Sequence, residues 1–79
     1  MNRESIKASL SEIFTDGDID IIEEGSHFSI SIVSEMFENL SKVRRQQMVY
    51  QALNEYIASG EMHAVSLHTY TPTELINKS

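Results

Sequence analysis

The chain has no cysteine among its 79 residues, so no disulfide can brace it. Any metal must be held by histidine or carboxylate, or by sulfur that another molecule brings. Basic residues are also scarce. Six Lys and Arg stand against twelve Asp and Glu, and a net charge of −6 repels nucleic acid and anionic membrane in the mean. No apolar run approaches the roughly 20 residues that span a bilayer. The opening MNRESIKASL lacks the apolar centre of a secretory signal, and its Glu4 is of a kind that transit peptides avoid. A cytoplasmic location is the expectation. Catalytic signatures are missing too, with no Gly-rich phosphate cradle, no HExxH and no serine in a nucleophile elbow. These absences exclude most ordinary enzyme classes.

What is present suits one domain, residues 1–79, with a single two-layer core. A hydrophobic content of 41% argues against disorder. Ile6, Leu10, Ile13 and Phe14 form one stripe of a helix over 2–14 that Asn2 could cap, and Thr15-Asp16-Gly17 ends it. Acid and isoleucine then alternate from Asp18 to Glu24, a strand with one wet face. Gly25-Ser26 turns the chain into a second strand, 27–34, where Phe28, Ile30 and Ile32 alternate with Ser29 and Ser31. Met36, Phe37 and Leu40 read as a short connection closing the core. Ser41 should cap a long helix to Ala58 with Val49, Ala52, Leu53, Tyr56 and Ile57 as its buried stripe, extended a turn by Val43; Ser59-Gly60 stops it. His63 to Tyr70 reads as a third strand, its Val65 and Leu67 on one face, Ser66 and His68 on the other. Thr71-Pro72-Thr73-Glu74 opens a final helix with a capping box and proline at the first helical position.

The fold class is therefore α+β, in the order α-β-β-α-β-α, with a three-stranded mixed sheet and helices on one face. The second strand, long helix and third strand form a β-α-β unit, whose right-handed crossover makes the two strands parallel and brings their first residues to one edge. His27 and His63 stand at those positions. Neutral imidazoles there could share an ion whose other positions are filled from outside, although single histidines more often sit at strand edges as hydrogen-bonded residues. His68, of opposite parity to His63, should face away and be structural or solvated. Lys42, Arg44 and Arg45 are half of all basic residues and lie near the start of the long helix, opposed by Asp16, Asp18, Asp20, Glu23 and Glu24. Both charged runs read as solvated surface, with phosphate contact by the basic one as the alternative.

The run GSHFSISIVSEMFENLSKVRRQQMVYQAL followed by GEMHAVSLHTYTPTEL closely resembles the BolA family, from Ile6 to Leu75. Its specific pieces are GSHF at 25–28, VYQAL at 49–53, HAVSL at 63–67 and YTPTEL at 70–75. Arg45-Gln46-Gln47-Met48-Val49-Tyr50 looks like the IbaG-typified branch, and Asn39 stands where many members have glycine. The resemblance implies a fold like a class II KH domain, a monothiol glutaredoxin as partner, and a [2Fe–2S] cluster shared with that partner and its glutathione, none being expected on the isolated chain. His63 then corresponds to the family's C-terminal histidine ligand and His27 to the loop position that supplies a second ligand. Iron bound by imidazole would make binding sensitive to pH. Homodimers are possible. The alternative is a nucleic-acid-binding transcriptional regulator using Lys42, Arg44 and Arg45; against it, residues 37–42 lack a GXXG loop.

Overall fold

A computed structural model describes residues 3–77; the expected Asn2 cap lies outside them. The order is α1 (Arg3–Ile13), β1 (Asp18–Glu24), β2 (His27–Val33), a 3-10 turn (Glu35–Phe37), α2 (Lys42–Ala58), β3 (Ala64–Tyr70) and α3 (Pro72–Asn77). The sheet order is β1-β2-β3, with β1 antiparallel to β2 and β2 parallel to β3. This is the mixed three-stranded sheet expected.

Alternation in β1 and β2 puts Ile19, Ile21, Phe28, Ile30 and Ile32 on one face, where Ile6 and Leu10 of α1, Phe14 just past its end, and Val49 and Leu53 of α2 cover them. Removing each such side chain from water contributes about 1.5–3 kcal/mol. Phe37 of the 3-10 turn closes the core, its ring centroid 5.1 Å from that of Phe14. Gly17 permits the tight exit from α1. Its amide donates to the Phe14 carbonyl at 2.8 Å, and a Cβ there would stand only 2.9 Å from Phe14 Cβ and O.

Several details depart from the pattern in the sequence. Ile13 ends α1 exposed, since Phe14 beyond it takes the buried place. β2 ends at Val33, not Ser34, because the buried Ser34 caps the 3-10 turn, accepting from the Met36 amide. Met36 points outward, so Phe37 closes the core without it. Ser41 caps α2 as expected, accepting from the Arg44 amide at 3.2 Å. Val43, however, is 62% exposed and does not extend the buried stripe. Arg45 occupies that place, one turn before Val49. Ile57 is also exposed. Finally, β3 begins at Ala64, so His63 precedes the strand instead of starting it. The buried Met62, whose amide donates to Tyr56 O, holds the chain back until it meets β2.

Candidate functional site

The parallel register pairs His27 with Ala64, and the Ala64 amide donates to Ser26 O at 3.4 Å. His27 and Ala64 are thus about a strand spacing of 4.8 Å apart, and His63, one residue before Ala64, is the next backbone position on the same rim. Both are exposed. Their rings are turned differently. His27 Nε2 lies 3.0 Å from Ser66 Oγ on the uncovered face of the sheet. His63 lines a shallow cleft at the helix-covered end with Glu23, Gly25, Phe28, Gly60 and Glu61. No hydrogen-bond partner for its ring is found among the described residues. The fold therefore brings the backbones together and leaves the imidazoles flanking the rim; His27 would have to leave Ser66 for both to face one ion.

The donor set suits a metal only in part. Two imidazoles can ligate, Gly25 and Gly60 leave room beside His63, and the carboxylates of Glu23 and Glu61 favour positive charge nearby. Among the described residues no group of three or more His, Asp or Glu is arranged to hold an ion alone. Further ligands would come from outside. His68 is exposed and shares the uncovered face with His27, since Ser31 opposite it is in phase with His27 along β2.

Ser66 could not be found from composition. It follows from strand parity only once the register, which pairs His27 with Ala64 and not with His63, is known. Asn39 is a second departure with a visible cause. Its φ of 63° lies in the left-handed region, where glycine is easiest and asparagine is tolerated, matching the position at which the resemblance led one to expect glycine.

At the opposite end of the sheet the basic run divides. Lys42 and Arg44 are exposed at the start of α2, whereas Arg45 is only 5% exposed. Its guanidinium donates to both carboxylate oxygens of Glu74, Nη1 to Oε1 at 2.7 Å and Nη2 to Oε2 at 3.0 Å, while Nε donates to Leu40 O and Nη1 also to Thr69 O. It lies 5.8 Å from the Phe37 ring centre. Arg45 is therefore withdrawn from the phosphate-contact set suggested by the sequence, because four of its five N–H donors are spent inside the fold and a buried charge stripped of its partner is costly. Glu74 carries two duties. It accepts from the Thr71 amide at 2.9 Å while its own amide donates to Thr71 Oγ1 at 3.1 Å, completing the expected capping box. The Arg45 hydrogen bonds first, and the Thr71 amide second, pull its carboxyl down to about 2. Asp16, read as solvated surface, binds the same end: it accepts from Ser34 Oγ at 2.8 Å and from the Glu35 amide at 2.7 Å, which lowers its pKa.

A sequence profile of the family described as BolA-like protein matches residues 4–74. The acid stress protein IbaG of Escherichia coli K12 is 47% identical over 66 residues, covering 84% of this chain and 71% of that protein. Among solved structures, BolA1 from Arabidopsis thaliana superposes with a TM-score of 0.83 at 29% identity, over 94% of this chain and 96% of that one. The BolA domain of SufE1 from the same plant gives 0.80 at 28% identity, over 94% and 98%.

Proposed function

The chain belongs to the BolA-like protein family, and on that premise we propose that it is a non-catalytic adaptor that pairs with a monothiol glutaredoxin and co-ligates a [2Fe–2S] cluster. The cluster is cargo, carried for trafficking or for sensing iron and stress. A stress role also accords with the name of the IbaG relative.

One observation carries the reading: two exposed imidazoles at adjoining backbone positions of a single rim, one of them without a partner among the described residues. His63 is ready to donate a nitrogen lone pair. His27 can do so once its ring leaves Ser66 and swings towards His63. Because the chain has no cysteine, thiolates must come from the glutaredoxin and its glutathione. Imidazole on iron raises a cluster's potential relative to thiolate alone. Glu23 and Glu61 flank the position and favour the cationic metal over anions.

The experiment is visible circular dichroism of the protein mixed with a cluster-loaded monothiol glutaredoxin. A spectrum distinct from that of the glutaredoxin alone is expected, abolished by His63→Ala and weakened by His27→Ala. If the glutaredoxin spectrum is unchanged by addition of the wild-type chain, the reading fails. Binding to apo-glutaredoxin that ignores both substitutions would instead mark a cluster-independent docking module. The nucleic-acid alternative keeps only Lys42 and Arg44 of its three residues, too few phosphate contacts to offset a charge of −6.

A further inference from the structure

The two edges of the sheet are chemically unlike. β1, at one edge, reads DIDIIEE, with four carboxylates in seven residues. Such an edge discourages pairing with another strand. β3, at the other edge, reads AVSLHTY and contains neither carboxylate, lysine, arginine nor proline. Val65, Thr69 and Tyr70 favour extended structure, and no charge or proline on the strand itself protects it.

The direction of its backbone groups can be read from the bonds it makes. Ala64 N–H donates to Ser26 O, and Tyr70 O accepts from the Ser34 amide, so Ala64, Ser66, His68 and Tyr70 aim their peptide groups at β2. In a parallel pair the alternate residues aim theirs the other way. Val65, Leu67 and Thr69 therefore present N–H and C=O to the outer edge. Arg45 Nη1 takes the Thr69 carbonyl. No described residue pairs with the outward groups of Val65 and Leu67.

We propose that this edge is self-complementary and that a second copy of the chain adds its own β3 to it, antiparallel, about a two-fold axis at Ser66. Val65 of each copy then exchanges both peptide hydrogen bonds with Leu67 of the other, satisfying every outward group of the two residues. Ser66 faces Ser66 across the axis. The charge of −6 on each copy opposes any pairing, and opposes it least at this edge, which carries no carboxylate. The carboxylates of β1 come to lie at the two far ends of a six-stranded sheet, about 24 Å apart, roughly three Debye lengths at physiological salt. Pairing through β1 would instead set them face to face. One added strand buries little area, so the dimer is weak, with a dissociation constant of roughly 10–1,000 µM. The same register lays His63 beside Thr69 of the second copy, so the dimer covers the rim that carries the histidine.

The test uses the chain alone. Sedimentation equilibrium across that range should show monomer and dimer, and the amides of Val65 and Leu67 should exchange more slowly as concentration rises. Ser66→Asp and Ser66→Lys each set like charges across the axis and should be monomeric, whereas an equal mixture of the two should pair at least as tightly as wild type. A wild-type chain that stays monomeric throughout overturns the proposal. So does a dimer whose protected amides lie elsewhere, a mixture of folded variants that stays monomeric, or protection of Val65 and Leu67 that appears only with a different protein.

Discussion

The two ends of the β2–β3 pair are built in opposite ways. At the end where β3 meets α3, Glu74 bonds both Arg45 and Thr71, Asp16 accepts from Ser34, and Arg45 lies against Phe37. At the end where β3 begins, Ala64 makes a long backbone bond to Ser26, and two exposed imidazoles are held by at most one hydroxyl. The difference teaches where this small domain puts its polar interactions. One end spends them on holding secondary elements together, and the other leaves donors free for something outside.

Substitution at each end should separate the two roles. The largest stability effect is expected for Arg45→Met, which removes the buried guanidinium from Glu74 and from the Leu40 and Thr69 carbonyls and should cost about 2–4 kcal/mol in urea unfolding. His63→Ala should change stability by less than about 0.5 kcal/mol while abolishing the mixed glutaredoxin spectrum. Equal stability losses from the two would erase the contrast. The closed end should also be the acid-sensitive one. Glu74 is held at about 2 against an ordinary 4.5, so its contribution is complete above about 4.5 and is lost as pH falls from there towards 2. Urea midpoints at pH 5 and pH 3 should drop further for wild type than for Glu74→Gln, which lacks that titration; parallel drops would show that other carboxylates dominate.

Smaller effects refine the boundary between the regions. Asn39→Val places a β-branched residue at a φ of 63° and should cost about 1–2 kcal/mol, whereas Asn39→Gly should be within a few tenths. Thermal melts of the two variants check this. Val43→Lys should be neutral to within about 0.5 kcal/mol, since the side chain faces solvent beside the buried Arg45. A large loss there would restore Val43 to the buried stripe.

Much of this architecture is legible in the chain. The alternation of Phe28, Ile30 and Ile32, the Ser41 cap and the Thr71-Pro72-Thr73-Glu74 start are local signals, and local signals set the elements. The adjacency of His27 and His63 also follows, because a β-α-β crossover has one hand. Long-range polar pairing does not follow. Arg45 lies in a run of charges beside Arg44, and nothing within a few residues of it says that Glu74 waits across the fold. Asp16 likewise looks like the start of an acidic surface until Ser34 is brought beside it. The directions of the imidazoles were equally out of reach, since a one-residue offset in register and the late start of β3 decide which way each ring turns.

The parallel pairing of β2 with β3 has a temporal side. His27 and His63 are separated in the chain by the whole of α2, and they become neighbours only once β3 pairs with β2. Loop closure over such a length makes the rim a late product of folding. During synthesis, a polypeptide still short of β3 carries one isolated imidazole and offers passing metal no paired foothold. The paired histidine rim thus arrives together with structural completion.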